Sequence, residues 1–565
     1  MTGRGAQALV LALASILLLA RLGGIDLWAP DEPRYAQIAE EVRAFERGPA
    51  SAVLLTLNGH PYDQKPPLYF CLAALAGAAG GRVTETAARL PSALAGIALV
   101  ALVLAWGSRL FGRCAAALGG AILATAVLFP YMARRTQIDL VLALFESLAL
   151  LGFWRADRGI GSRRASLALL HASMGLAVLT KGPVGLLVPS LVIVAYLVWE
   201  RRPAALRAVF PPWGLALSLL PGILWVALAI ALAPQGFFEG AVVENLYGRF
   251  FLGTSKANPW YFFFGVFPLD FLPWSLLWPV VWIVGRREIF APGAPDEPRR
   301  TWRFLLAWVV VTFVFFSIST GKRNLYLLPC YPAVALLCGD AAYRALRRLP
   351  ALPRAVGRSA AGLAIAIGTA ALAAAALPLF PGVDVPFAFA AAVIAALAAG
   401  AALWRGAAIR GMGALGQLAA ALVATFAVEL SIFTLLFPAL DAQKSPRPLA
   451  LAAAALSPPG TPIGVVEQSP VVGGIAYYSH RPVAEVAYAD DLRSFFDGGG
   501  RVAVIREQAF ERVHGEQYAE IRARVRSGKR ATLVVTPRTS IRGPAASAEA
   551  TTMTAESDGA AAVRP

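Results

Sequence analysis

The sequence predicts an α-helical polytopic membrane protein with about thirteen transmembrane helices and a small C-terminal α/β domain. Three observations predict it. Hydrophobic residues make up 58% of the chain against 15% charged, with a mean hydropathy of +0.61. The apolar residues gather in runs long enough to cross a hydrocarbon layer of roughly 30 Å. After residue 437 the runs give way to short strand-like segments between polar stretches. A soluble chain of this length, split into roughly three or four domains, would carry far more charge.

The apolar runs lie near residues 7–23, 85–110, 114–132, 138–154, 165–180, 183–199, 211–233, 262–284, 303–319, 326–343, 359–378, 386–404 and 415–437. The first is read as an anchor rather than a signal peptide, because no small-x-small cleavage site closes it. With Arg4 cytoplasmic, the even-numbered connections are cytoplasmic too, and each is basic: Arg109/Arg113, Arg155 to Arg164, Arg201 to Arg207, Arg286 to Arg300, Arg344 to Arg358 and Arg405/Arg410. That is the pattern the positive-inside rule requires.

Residues 1–437 thus form the membrane domain, with two long outer connections at 24–84 and 234–261. An odd number of spans leaves residues 438–540 outside as the α/β domain. Pro462–Val466, Val483–Ala487, Val502–Ile505 and Ala531–Val535 read as its strands, and Asp490–Phe496 and Gln508–Val525 as its helices. Residues 541–565, rich in Ala, Ser, Thr and Glu, read as a disordered tail.

The formal charge of +17 and pI near 10.1 would point to nucleic acid in a soluble protein. Here the arginines punctuate the spans, so insertion topology accounts for most of them and no nucleic-acid partner is implied. The four cysteines lie in or beside apolar runs, which gives no disulfide framework or zinc site. All six lysines (Lys65, Lys181, Lys256, Lys322, Lys444 and Lys529) fall on the outer side. Outer positive charge runs against the insertion rule and needs another reason.

The outer connections carry the candidate chemistry. Residues 28–47 describe an amphipathic helix on the outer interface whose first turn presents Asp31, Glu32 and Arg34; the plainer reading of Asp31 is an N-cap. In Asn58 to Leu68, Pro66 and Pro67 hold Lys65 in extended backbone before a further apolar helix. Lys65 is either a phosphate ligand or a snorkelling lysine. His60 has no second histidine near it in sequence and reads as a loop residue.

Arg134, Arg135 and Asp139 share the turn between two spans, with Glu146 two helical turns below Asp139 as an intramembrane acid. Further outer elements are Thr180-Lys181-Gly182-Pro183, Glu244 to Phe250 with Arg249, the aromatic run Trp260 to Phe264, and Gly321-Lys322-Arg323-Asn324-Leu325-Tyr326. The aromatic run reads as an interfacial belt. A few carboxylates among fixed cations beside a bilayer suit an anionic, lipid-anchored substrate such as a lipid phosphate-sugar. Transfer from phosphate needs cations for the leaving group and one carboxylate to accept a proton. It needs no paired general acid.

Asp31-Glu32-Pro33-Arg34-Tyr35, the Asn58-Gly59 to Lys65-Pro66-Pro67-Leu68 segment, Thr136-Gln137-Ile138-Asp139, Thr180-Lys181-Gly182-Pro183 and Leu325-Tyr326-Leu327-Leu328-Pro329 resemble bacterial lipid A 4-amino-4-deoxy-L-arabinose transferases and protein-mannosyltransferase-like enzymes. These are GT-C glycosyltransferases that use polyprenyl-phosphate sugars. The ordered motifs cover roughly residues 1–345. The resemblance implies a GT-C fold in the bacterial inner membrane with its active site facing the periplasm. It also implies inverting transfer of a sugar from undecaprenyl phosphate to lipid A, another glycolipid or a protein.

Carried over by position, the resemblance makes Asp31 the essential acid and has Lys65 and Arg34 hold the lipid phosphate. Asp139 and Tyr326 then line the same cavity, with Asp31 or Asp139 as the base. Lys322 is added to the phosphate ligands, and Glu32, Arg134, Arg135, Lys181, Glu244 and Arg249 to the substrate-binding residues, from position. The family commonly carries Glu where this chain has Gln64. That substitution weakens the expectation of a divalent metal and of aminoarabinose as the sugar.

Two other classes compete. A transporter or flippase of lipid-linked or anionic solutes would place its ionisable residues at mid-bilayer on broken helices in repeated halves. This sequence offers only Glu146 and Glu429 there and no visible internal repeat. An envelope scaffold would not need cations and acids clustered in loops far upstream of the α/β domain.

Overall fold

The computed structural model describes residues 3–233, 257–291, 295–348, 390, 393–394, 413–527 and 530–538. The runs expected at 359–378 and 386–404, the tail at 541–565 and most of the 234–261 connection lie outside them or nearly so.

The first apolar run forms α1 (Gly3–Leu19). The first long connection is built rather than loose. It holds α2 (Asp31–Ala44), a two-residue hairpin of β1 (Thr56–Leu57) and β2 (His60–Pro61), and α3 (Leu68–Ala78). α4 (Glu85–Phe111) starts where the Thr84 hydroxyl accepts from the Ala87 N–H, satisfying an otherwise unpaired donor.

The run expected at 114–132 divides into α5 (Arg113–Ala124) and α6 (Leu128–Ala133). α7 (Asp139–Asp157), α8 (Arg163–Lys181, capped by Ser162) and α9 (Val184–Trp199) follow. Gly152 lets α7 and α8 approach closely, since an added Cβ would lie 2.6 Å from the Leu170 nitrogen. Small residues at such crossings bring helix backbones together inside membranes.

Among the described residues, five stretches are long and apolar enough to cross a membrane: Glu85–Phe111, Pro212–Leu232, Asp296–Ile318, Asn324–Leu346 and Ala420–Asp441. The run expected at 262–284 is not one straight span. Phe262–Asp270 and Trp274–Phe290 meet at 103°, where Pro268 inside the first helix and Pro273 at the break remove backbone donors. Counted as one span, the pair makes a sixth. Aromatic residues fill the bundle interior, with Phe304 packed on Trp154 at 4.9 Å and against Tyr196 at 5.4 Å.

Beyond Lys444 a five-stranded sheet forms in the order β4-β3-β5-β7-β6, from β3 (Ile463–Val466), β4 (Val483–Val486), β5 (Val502–Arg506), β6 (Ala519–Ser527) and β7 (Arg530–Pro537). β3 lies parallel to β4 and β5; β7 runs antiparallel to β5 and β6. The helix expected over Gln508–Val525 is corrected. It ends at Arg512, and after His514 in the left-handed region the chain returns as β6. Its Glu-Ile-Arg-Ala-Arg-Val alternation has the two-residue period of a strand, with Arg522 and Arg524 exposed and Ala523 and Val525 packed inward.

The helix expected within residues 28–47 forms as α2. α2 is covered by α3, by α4 and by the helix Ser469–Ser479, which the sequence reading did not anticipate. That cover comes from the C-terminal unit, whose grip on the first connection is extensive. Asn58 and Val483 exchange hydrogen bonds, with Nδ2 donating to the Val483 carbonyl at 2.5 Å and the Val483 N–H to Oδ1 at 2.9 Å. The Tyr477 hydroxyl donates to the Val83 carbonyl at 2.6 Å, and the Leu27 N–H to the Tyr478 hydroxyl at 2.7 Å.

Gly473 sits so close that a Cβ there would lie 2.5 Å from the Cα of Arg34. Gly473→Val is therefore expected to destabilise the protein by about 1–3 kcal/mol through overpacking. Thermal unfolding in detergent measures it, and an unchanged midpoint would show that the two units do not depend on this contact.

Candidate functional site

α7 and α8 run antiparallel through a short turn, which sets the N-terminus of one beside the C-terminus of the other. Asp139 opens α7 and Lys181 closes α8, just before Gly182 at φ +79° ends the helix. Each charge suits the helix end it occupies. They meet as an ion pair, Lys181 Nζ to Asp139 Oδ1 at 2.5 Å, and the ammonium also lies 4.2 Å from the centre of the Tyr326 ring.

Tyr326 belongs to the tight turn Asn324–Cys330, and the residue just before that turn links this cluster to a second one. Arg323 Nη2 donates to Asp31 Oδ2 at 2.8 Å, while Arg34 Nη2 donates to Asp31 Oδ1 at 2.6 Å. Burial by itself would raise the Asp31 carboxyl. Arg323 and then Arg34 outweigh it and hold the group below the usual carboxylate range. Burial would lower Arg323, but Asp31 more than reverses this and Asp139 adds to the effect. Arg323 thus feels both acids.

Asp31 is the first residue of α2, and no side-chain cap is made at that helix start. Its carboxylate serves the two guanidiniums, so the N-cap reading does not describe it. Lys65 is half-buried in the extended stretch before α3, three residues beyond Tyr62, whose phenol acts electrostatically on Arg34. The Asn58 to Leu68 segment therefore passes the Asp31 cluster.

Glu32, the next residue, points the other way into a closed cluster. It is fully buried and takes Arg89 Nε at 2.9 Å, the Thr136 N–H at 2.9 Å, the Trp28 N–H at 3.1 Å and Arg135 Nη2 at 3.1 Å. Burial would raise its carboxyl; Arg135 and Arg89 overcome this and bring it to about 2. Arg89 also donates to the carbonyls of Leu22, Ile25 and Asp26. The cluster ties α2, α4 and the Arg135–Thr136 turn together beneath Asp31, and Glu32 is spent on these partners.

The structure thus brings together Asp31, Arg34, Asp139, Lys181 and Tyr326, and it adds Arg323. It does not bring in Arg134, which donates to the Leu17 and Ala20 carbonyls at 2.6 and 2.7 Å. Nor does it bring in Arg135, held by Glu32 between the Trp28 and Tyr131 rings. Lys322 turns inward and donates to the carbonyls of Asn258 and Ser319, so its neighbour Arg323 presents the cation. Glu244 and Arg249 lie outside the described residues. Glu146 is buried within α7, and its oxygens have no hydrogen-bond partner among the described residues.

Arg89 and Arg323 were missed by the sequence reading. Both had a signal: Arg89 interrupts an apolar run, and Arg323 completes a Lys-Arg pair in a connection where insertion disfavours positive charge. Among the described residues, no group of three or more His, Cys, Asp and Glu comes together to hold a metal.

The paired-charge cluster lies at one end of a mostly helical, multi-pass bundle and is roofed by an α/β unit, and the fold is one found in GT-C membrane enzymes. The crystal structure of ArnT from Cupriavidus metallidurans bound to undecaprenyl phosphate superposes with a TM-score of 0.74 at 24% identity, covering 93% of this chain and 97% of that one. Residues 64–226 match the dolichyl-phosphate-mannose-protein mannosyltransferase family model. The undecaprenyl phosphate-alpha-4-amino-4-deoxy-L-arabinose arabinosyl transferase of Pseudomonas paraeruginosa is 30% identical over 389 residues, 66% of each chain. That of Pseudomonas aeruginosa is 29% identical over 400 residues, 67% of this chain and 66% of the relative. The chain is similar to these aminoarabinose transferases, and it spans just under two thirds of the length of the curated relatives it matches.

Proposed function

We propose that the protein is an inverting glycosyltransferase of the bacterial inner membrane, moving a sugar from undecaprenyl phosphate to a periplasmic acceptor such as lipid A, another glycolipid or a protein. The observation that carries the reading is Asp31 held between Arg34 and Arg323, with the second acid-cation pair, Asp139 and Lys181, joined to it through the Arg323–Tyr326 segment. The names of the relatives and the carrier in the related ArnT structure support the donor class.

In the free protein Asp31 is a poor base, because two guanidiniums stabilise its charged form. A donor phosphate competes for the same guanidiniums, joined by Lys65, and as they turn to the phosphate Asp31 regains basicity. The acceptor hydroxyl or amine gives its proton to Asp31 and attacks the anomeric carbon from the face opposite the phosphate. The carbon–oxygen bond to phosphate breaks with its electron pair on phosphate, where Arg34, Arg323 and Lys65 take up the developing charge. Asp139 holds Lys181 over Tyr326 as the side wall. Base formation is thereby coupled to donor binding.

Mass spectrometry of polyprenyl-phosphate sugars from cells with and without the gene tests the reaction class. Accumulation of one species on deletion is expected and names the sugar, which Gln64 leaves open; an unchanged pool would refute the transferase reading. Lys65→Ala is expected to weaken donor binding about tenfold through loss of one charge-assisted contact. Donor titration of the purified protein reads it, and unaltered affinity would remove Lys65 from the phosphate site. A transporter gains nothing from this geometry, since Asp139 and Lys181 meet where α7 begins and α8 ends, at one end of the bundle instead of midway.

A further inference from the structure

On the far side of the Glu32 cluster a groove opens between the end of α1 and the chain at Phe433–Pro438. It is lined by Arg21, Arg89, Arg134 and Arg135, with Glu32 as the one carboxylate among the described residues and with Tyr131, Phe433 and Phe437 as apolar wall. Arg89 and Arg135 are both spent on Glu32. Among the described residues Arg134 donates only to the Leu17 and Ala20 carbonyls, and it stacks on Phe433 at 4.8 Å. Arg21, exposed at the mouth, donates to the Thr434 carbonyl at 3.2 Å. The nearby acids are engaged elsewhere: Asp26 takes Ser445 and Arg447, and Asp441 takes the Asp26 N–H and the Trp28 indole.

The wall itself departs from regular helix. Ile432–Leu436 is a π-helical turn, a rare distortion that is concentrated at functional sites. The α1 end that carries Arg21 is the end the orientation reading places outside, where positive charge opposes insertion. Four guanidiniums there against one carboxylate leave an excess of positive charge in a partly enclosed cleft beside lipid. Burial and then Arg89 pull Arg134 down to about 10, so the cation is held there at a disadvantage that an anion would relieve.

We propose that the mouth of this groove binds the phosphate of an anionic lipid headgroup, with Arg21 and Arg134 as its ligands. The site is separate from the Asp31 cluster and does not depend on the transferase reading. Basic pockets between membrane helices recognise phosphate headgroups in this way. The geometry supplies a planar guanidinium already fixed on a ring, with its carbonyl partners setting its orientation.

Native mass spectrometry of the full-length protein, delipidated and then titrated with phosphatidylglycerol or phosphatidylcholine, tests this. The expected result is retention of phosphatidylglycerol over phosphatidylcholine, weakened about fivefold by Arg21→Gln and by Arg134→Gln, the change for loss of one surface charge near lipid phosphate. Lys65→Ala leaves this retention unchanged. Equal retention of both lipids, or retention indifferent to both substitutions, overturns the proposal. Should Arg134→Gln fail to fold, Arg21→Gln decides alone, because Arg21 is exposed. Inorganic phosphate at equal concentration separates the sources: competition with the same arginine dependence and no lipid retention would make this a free-phosphate site and overturn the lipid assignment.

Discussion

Asp31→Asn is expected to lower the transfer rate by about 10²- to 10⁴-fold, the range supplied by a positioned proton acceptor, while leaving the protein folded and inserted. The substitution keeps the shape of the side chain, but it leaves one acceptor oxygen where Arg34 and Arg323 each use one and removes the charge that both guanidiniums face. Donor affinity is expected to hold or to rise, because the two cations no longer have a carboxylate to leave when phosphate arrives. A loss of rate without a loss of donor binding is thus the signature, read by single-turnover transfer alongside donor titration. Wild-type transfer by this variant would move the base elsewhere, and Asp139, paired with Lys181, would be the next residue to test.

Glu32→Gln, one residue away, is expected to act on stability, by about 3–5 kcal/mol. Removing one member of a buried ion-paired cluster leaves the other charges uncompensated, here Arg89 and Arg135. The same cluster sets a pH dependence whose sign is fixed. The Glu32 carboxyl titrates at about 2 when folded, against 4.5 ordinarily. Its contribution is therefore complete above about pH 4.5 and is lost as the pH falls through about 2. Thermal unfolding in detergent between pH 6 and pH 3 is expected to show a falling midpoint, with the acid slope reduced in Glu32→Gln. Identical slopes in the two proteins would show that another carboxylate governs acid stability.

These neighbours divide the work of one helix turn. Asp31 faces the cations of the candidate site, and Glu32, roughly a hundred degrees around the helix, faces the scaffold. The sequence reading placed both in the first turn of a helix and gave both to the substrate. Which way each points was not legible, since α2 is covered by α3, α4 and the Ser469–Ser479 helix and has no simple apolar and polar face. Lys322 and Arg323 repeat the lesson. Adjacent cations in one connection end in different surroundings because Lys322 closes the Ser319 turn while Arg323 projects to Asp31.

The membrane class, the positions of α1 to α4 and α7 to α9 along the chain, four of the five strands and the residue types gathered at the candidate site are all legible in the amino-acid order. These follow from the length of apolar runs, from a two-residue alternation and from proline and glycine punctuation, all of which act within a few residues. Which charges meet is set by the packing of distant segments. Lys181 and Asp139 are 42 positions apart and Arg323 and Asp31 are 292 apart, so no local pattern encodes either pair. The same packing decides that the C-terminal unit roofs the first connection through Asn58, Tyr477 and Gly473, and that the chain at 262–290 bends. A local period reports which face of an element is apolar; what that face meets depends on close packing among distant segments.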